Sequence, residues 1–262
     1  MRVGNRTAGR ALGAALLMAI VSGTASAAPL VFAGQDNLNL SGGGLHPNTD
    51  AAQAAFIAAA IAEGGVAVQN FDGLSLGAAP ASFAIGSITA SLTATATAHT
   101  TIANGVTQFH TYAASGTRFL DSLTNRNTTF FSIAFSEAAS GFGFHITDAS
   151  DWLGNPKPST NLVVTLKYAS GDLTRKVFDG TAASTMVSGN LGFWGVVDSV
   201  DPLLGFSISN PLGNPDRDGI GIDNLSIVLV KPTTAVPVPS AVVLLLSALG
   251  GMLGFGRRRV AA

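Results

Sequence analysis

The amino-acid sequence lacks cysteine altogether. Disulfide bonds and thiolate chemistry are therefore excluded, and packing has to stabilise the fold, with or without a bound ion. Charged residues make up only 11% of the 262 positions, and Glu63 and Glu137 are the only glutamates. The remaining acidic residues are aspartates, which favour turns and metal ions, whereas glutamate favours helices.

Basic residues are concentrated at the two ends of the chain. Of the 14 Lys and Arg residues, three lie in the first ten positions and three at 257–259, whereas all 15 acidic residues lie between these clusters. The region between them carries 8 − 15 = −7 charges. We therefore expect no nucleic acid among the partners, because nucleic-acid binding needs a basic surface.

The N-terminal segment, residues 1–27, has the three parts of a secretory signal peptide. A basic region with three arginines precedes an apolar stretch at 11–21, and the small residues Ala25 and Ala27 mark a cleavage site. We expect cleavage after Ala27, with cleavage after Ala28 as the alternative. The implied partners are the Sec translocon and signal peptidase.

The C-terminal segment, residues 232–262, combines a proline motif, an apolar run at 241–255 and a basic cluster. As a helix, residues 236–256 would measure about 30 Å, roughly one hydrocarbon core. The terminal arginines predict a cytoplasmic end, so the preceding domain would lie outside the inner membrane. The motif consists of Val236, Pro237, Val238, Pro239 and Ser240, and the basic cluster of Arg257, Arg258 and Arg259.

This layout resembles the PEP-CTERM sorting tail, closest to its VPxPA-like variants. The resemblance implies recognition and cleavage by an exosortase, a membrane-embedded cysteine transpeptidase. It also implies delivery to the cell surface or exopolysaccharide matrix of biofilm-forming Gram-negative bacteria. Residues 236–240 would be the recognition motif and residues 257–259 the cytoplasmic stop. Val238 is a departure, because the commonest form of the motif has Glu between the prolines.

The region between these segments is predicted to be an antiparallel, jelly-roll-like β-sandwich over residues 66–231, preceded by a loop and one helix over 28–65. The helix is expected at 51–63, capped by Asn48, Thr49 or Asp50 and ended by Gly64. Short β-branched and aromatic runs between turns predict the strands. They are expected at 66–72, 83–97, 106–113, 118–123, 128–136, 141–147, 161–169, 173–179, 191–198, 203–209 and 220–230, and 87–98 is open to forming a strand pair.

Four aspartates are candidate ligands of a structural calcium ion: Asp72, Asp216, Asp218 and Asp223. Residues 71–73 and 222–224 resemble the strands of jelly-roll carbohydrate-binding modules whose two acidic residues hold calcium, which implies Asp72 and Asp223. Residues 214–219 match the opening of an EF-hand loop, but Leu225 stands where that loop needs a bidentate glutamate. One near copy of a calcium β-roll repeat at 219–225 has no neighbouring copy.

Catalytic patterns are weak, and we expect no enzymatic activity. Ser75 lies in a G-x-S-x-G match, but no helix is predicted after it. The histidines lack metal-ligand spacing, and His145 is expected to be a half-exposed sheet residue. Asp148 and Asp151 are interpreted as turn residues rather than a hydrolytic pair.

The sequence thus predicts an exported structural or adhesive protein of the envelope or exopolysaccharide. Two alternatives stay open. A carbohydrate-binding protein would use Trp152 or Trp194 as sugar platforms, although packing is the favoured interpretation of both. A secreted hydrolase would need a cleft with clustered acidic residues.

Overall fold

The computed structural model describes residues 28–36, 45–94, 99–124, 129–149, 162–178, 189–210 and 218–231. Within these ranges it is an antiparallel β-sandwich with one helix, α1 (Pro47–Glu63). The strands are β1 (Leu30–Asp36), β2 (Val66–Gln69), β3 (Gly77–Ala78), β4 (Ser82–Ile85), β5 (Ile88–Ala94), β6 (His99–Asn104), β7 (Arg118–Thr124), β8 (Thr129–Ala139), β9 (Gly141–Thr147), β10 (Val163–Tyr168), β11 (Gly171–Lys176), β12 (Leu191–Val197), β13 (Leu203–Ser209) and β14 (Asp218–Val228).

The first sheet has the order β1-β12-β9-β14-β7-β6-β3, and β2 also pairs with β14. Strand β14 therefore has β9 along one edge and two strands, β7 and then β2, along the other. The second sheet has the order β11-β10-β13-β8-β5-β4. All pairings are antiparallel, which confirms the predicted class of sheet.

The main core lies between the two sheets and is rich in phenylalanine. Phe142 of the first sheet stacks on Phe206 of the second, with ring centroids 4.1 Å apart. The ring centroid of Trp194 lies 5.8 Å from that of Phe142, and Trp194 is completely buried. Such aromatic contacts stabilise the fold beyond the burial of their area, and they require no disulfide.

Helix α1 forms a third layer on the outer face of the first sheet. Its buried Phe56 and Ala60 pack against Phe193 of β12. A side chain at Gly195 would place its Cβ 2.8 Å from Cδ2 of Phe56, so this glycine leaves the space that the phenylalanine fills. The full burial of β12 follows from this arrangement, because both of its faces are covered.

The helix begins one turn earlier than the sequence predicts, and its predicted capping is wrong. His46 is the N-cap residue and makes no side-chain capping bond, and Pro47 opens the helix. The capping acceptor comes instead from β1: Asp36 accepts the backbone N–H groups of Asn48 and Thr49 at 3.3 and 2.8 Å. Gly64 ends the helix as predicted and donates its N–H to the carbonyl of Ala60.

The strand predictions hold for most of the sandwich but fail at its N-terminal half. Residues 28–36, predicted as loop, contain β1, which pairs with β12 along its whole length. The single strand expected at 83–97 is divided into β4 and β5 by a turn at Gly86, whose φ is 61°. Residues 106–113 form a turn closed by the His110 N–H on the Thr107 carbonyl, and the strand lies earlier, at β6.

The predicted targeting segments fall outside the described ranges, and so do their residues. These are Ala25, Ala27, the motif at 236–240 and the arginines at 257–259. No helix in the described ranges is long and apolar enough to span a membrane. The predicted span at 241–255 is not among these ranges.

Candidate functional site

The structure brings Asp72 and Asp223 to the same short segment, residues 114–118. Asp72 Oδ1 accepts the backbone N–H groups of Thr117 and Arg118 at 2.8 and 2.9 Å. Asp223 Oδ2 accepts the N–H of Ser115 at 2.9 Å. Two residues that are 151 positions apart in the sequence therefore hold one loop between them.

Sheet topology explains why the two aspartates meet. On one edge of β14, pairing with β7 ends at Ile222 and pairing with β2 begins at Leu225. Asp223 and Asn224 lie in the interval between these strands, and Asn224 adopts a left-handed φ of 48°. On the other edge, the register with β9 shifts between Asp223 and Ser226, which is a β-bulge. Bulges of this kind redirect side chains at functional sites.

Local conformation fixes the partners of the two carboxylates. Phe71 has a left-handed φ of 63° immediately before Asp72. Gly116 has a φ of 64°, and a Cβ at this position would lie 2.0 Å from Oδ2 of Asp72. Glycine is therefore required there for two reasons, its backbone conformation and the close approach of the carboxylate. Arg118 also donates a hydrogen bond to the Leu74 carbonyl, which holds the loop after Asp72.

The two carboxylates have opposite electrostatic environments. Hydrogen bonds from the Thr117 backbone, together with Arg118, hold the pKa of Asp72 below its ordinary value. Burial raises the pKa of Asp223 to about 7, and the negative charge of Asp72 raises it further. The hydrogen bonds from the backbone of Ser115 and Asn224 act in the opposite direction but are outweighed. The site thus contains one carboxylate that is ionised at neutral pH and one that titrates near it.

Calcium prefers six to eight oxygen ligands, and the described residues supply only part of such a set. The carboxylates of Asp72 and Asp223 accept N–H donors, and Asn224 Oδ1 accepts the Ser115 hydroxyl at 2.9 Å. Within the described ranges, no three acidic or histidine side chains are grouped to hold a metal ion. A calcium ion here stays a prediction.

The other two predicted ligands lie elsewhere or outside the described ranges. Asp218 begins β14, five residues before Asp223, and this spacing corresponds to about 17 Å along a strand. Binding of one ion by Asp218 together with Asp223 stays a prediction. Asp216 lies outside the described residues.

The segment 114–118, which provides donors to both aspartates, carries no sequence pattern that predicts this role. Its composition, Ala-Ser-Gly-Thr-Arg, indicates a turn. No local pattern indicates which distant carboxylates that turn will meet.

Trp194 and His145 are both buried in the sandwich. Trp194 is completely buried in the core, which confirms packing and leaves it no surface for a sugar. Trp152 lies outside the described residues. His145 is buried rather than half exposed, because Phe193 and the helix layer cover its face of the sheet, and burial lowers its pKa to about 4.

Asp148 belongs to a buried turn at one end of the sandwich. Its Oδ1 accepts the N–H of Gly189 at 2.7 Å, and its own N–H donates to the carbonyl of Asn190. The hydroxyl of Tyr112 donates to the carbonyl of Gly189 at 3.0 Å, and burial followed by the charge of Asp148 raises the pKa of Tyr112 to about 12. Asp148 thus has the predicted turn role, whereas Asp151 lies outside the described residues.

No protein-family model matches this chain, and no curated protein is significantly similar to it.

Proposed function

We propose that this chain is an exported β-sandwich protein, sorted through its C-terminal tail by an exosortase to the cell surface or extracellular matrix. There it has a non-enzymatic, structural or adhesive role in the envelope or exopolysaccharide. The tail motif and the N-terminal leader carry this proposal together, because they predict the same topology independently.

The position of the sandwich between the two predicted segments supports the proposal. The first strand starts at Leu30, just after the predicted cleavage at Ala27, and the last strand ends at Val228, before the motif that starts at Val236. Removal of the leader and the tail would therefore break no strand pair of the described sheets. A protein processed at both ends needs this separation between its fold and its cleavage sites.

We further assign the sandwich to the jelly-roll group. Strands β7, β8, β9 and β10 alternate between the two sheets, and β12, β13 and β14 alternate in the same way. A chain that wraps around two packed sheets produces this alternation.

The mass of the mature protein in its native host tests the sorting proposal. We expect the C-terminus to be removed, and we expect the double variant Pro237→Ala and Pro239→Ala to retain it and remain in the membrane fraction. Pro232→Ala, just upstream of the motif, is the matched control and should be processed normally. A full-length C-terminus in a host that processes other tails of this kind would overturn the proposal.

Membrane topology can be measured separately with reporter fusions just upstream of Thr233. We expect alkaline phosphatase to be active at this position and a cytoplasmic reporter to be inactive. Deleting residues 1–27 should abolish the phosphatase signal. Phosphatase activity that does not depend on the leader, or a cytosolic reporter signal, would contradict export.

We also propose that Asp72 and Asp223 bind a structural calcium ion, which would offset the repulsion between these two carboxylates. The test is the melting temperature of the protein in EDTA and in calcium, because a ligand that binds only the folded state raises it. We expect stabilisation by calcium that Asp223→Asn abolishes. Asp172→Asn, a surface aspartate elsewhere, should respond like the wild type.

Two results would decide against this calcium site. Equal melting temperatures in EDTA and in calcium would exclude a structural ion. Loss of the calcium response in Asp218→Asn but not in Asp223→Asn would place the ion in the loop before β14 instead.

A further inference from the structure

A cavity of about 390 Å³ lies where the start of β1 meets the turn between β10 and β11 and the loop after β12. Its lining includes Ala28, Pro29, Tyr168, Ser170, Asp198 and Asp201. Leu30 pairs with Val197, so the chain before β1 continues alongside Asp198. The first two described residues of the chain therefore form part of this cavity, which we call the N-terminal pocket.

The N-terminal pocket is strongly acidic. Asp172 also lines it, but this residue forms an ion pair with Lys167. In the described part of the chain, Asp198 and Asp201 have no basic partner in a salt bridge. Asp198 Oδ1 accepts the N–H groups of Val200 and Asp201, each at 3.0 Å. Asp201 accepts the Ser170 hydroxyl, so both carboxylates are fixed in the pocket wall. Arg175 acts electrostatically on the nearby Tyr168, but within the described residues it forms no salt bridge with either carboxylate.

A buried hydroxyl group provides a second, independent observation. Tyr168 is only 8% exposed, and its hydroxyl lies against the Asp198 carboxylate without a hydrogen bond of normal geometry. Burial, then the charge and hydrogen-bonding contact of Asp198, and then the charge of Asp201 raise the pKa of Tyr168, whereas Arg175 opposes this, so the hydroxyl lies close to both carboxylates. A buried hydroxyl without a well-formed hydrogen bond is costly and is rare in native proteins.

We propose that the N-terminal pocket binds the α-ammonium group of Ala28 after the leader is removed. This inference rests on the proposed export, because only cleavage after Ala27 creates that group. An ammonium has three N–H donors and one positive charge, which suit two carboxylates and one hydroxyl oxygen. The uncleaved chain has a neutral amide with one donor at the same position.

This binding would couple maturation to stability. Among the described strands, β1 lies at the edge of the first sheet and pairs with one neighbour, β12. An ion pair at its first residues would fix the strand end that is otherwise free to fray, and would do so only after processing.

The test uses the chain from Ala28 to Ala262 in detergent, produced behind a tag whose removal leaves Ala28 as the first residue. We expect tag removal to raise the melting temperature by roughly 2–4 °C, a shift that a modest stabilisation produces in a domain of this size. Acetylation of the freed α-amino group should reverse the gain. Asp201→Asn and Tyr168→Phe should each reduce it.

Asp172→Asn is the matched control, because its carboxylate is already paired with Lys167. It should leave the gain on tag removal unchanged. A second readout is the titration of the α-amino group, labelled by ¹³C reductive methylation and followed by NMR. Its pKa should be above the ordinary value in the wild type and ordinary in Asp201→Asn.

An ordinary α-amino pKa, or a melting temperature that is unaffected by tag removal and by acetylation, would overturn the proposal. Mass spectrometry of the exported protein distinguishes this failure from a failure of export. A mature chain that begins at another residue would exclude Ala28 as the occupant. An unprocessed chain would contradict export itself, and the tag experiment would still report on the pocket.

Discussion

Replacing Asp36 by alanine tests whether a strand residue stabilises the start of helix α1. The Asp36 carboxylate accepts the Asn48 and Thr49 N–H groups and also the Asn48 side-chain amide, the last at 2.9 Å. Thr49 is completely buried, so water cannot replace the acceptor that its N–H would lose. Loss of a cap costs about 0.5–2 kcal/mol, and a charged hydrogen bond contributes about 1.5–3 kcal/mol.

We therefore expect Asp36→Ala to lower the free energy of unfolding by about 2–3 kcal/mol, measured by denaturant unfolding followed by circular dichroism. Asp50→Ala is the matched control, because Asp50 is an exposed acidic residue in the first turn of the same helix. Its interaction with the helix dipole is worth about 0.3–1 kcal/mol. Equal costs for the two variants would refute capping by Asp36.

The same interaction has a defined pH dependence. Burial acts to raise the pKa of Asp36, but the hydrogen bonds from Thr49 and Asn48 outweigh it and lower the pKa. The stabilisation is therefore complete above the unfolded value of about 3.9 and is lost as the pH falls through the folded value. The difference between wild type and Asp36→Ala should be constant from about pH 8 to 5 and shrink below about pH 4. A difference that persists unchanged at pH 2 would argue for packing instead.

Two further outcomes are expected. Gly195→Ala should lower the free energy of unfolding by about 1–3 kcal/mol, because the new Cβ would lie 2.8 Å from Cδ2 of Phe56. Gly73→Ala is the control and should have little effect, since a Cβ at that position meets open space. Equal stability of the two variants would contradict the packing of the helix layer. Burial keeps His145 neutral in the fold down to about pH 4, while the unfolded chain binds a proton near pH 6.5, so stability should decline as the pH falls between these values. NMR titration of the His145 ring checks this, and a folded pKa near 6.5 would contradict it.

The elements that could be predicted from the sequence are those determined by local residue patterns. Phe142, Phe144 and Ile146 alternate with smaller or polar residues, and this pattern predicted strand β9 at its observed bounds. Gly64 ended the helix for the same kind of reason, a conformation that only glycine adopts easily.

The failures have a common physical cause, which is pairing over long sequence separations. Strand β1 is stabilised by β12, more than 150 residues away in the sequence, and no periodic pattern of apolar residues at 30–36 indicates that pairing. The helix cap comes from Asp36 rather than from Asn48 or Thr49, because β1 brings a carboxylate to the first turn. Asp72 and Asp223 were predicted by resemblance, whereas their loop at 114–118 was not, since turn composition does not specify a distant acceptor.

The position of β14 determines how the domain would respond to force. This strand is the last of the described sandwich and lies in the interior of its eight-stranded sheet, hydrogen-bonded along both edges. Tension applied beyond Val228 would act along the strand and load the hydrogen bonds on both edges together in shear. An edge strand pulled sideways would instead unzip one bond at a time. The described sandwich thus ends on a strand that is well placed to resist extraction.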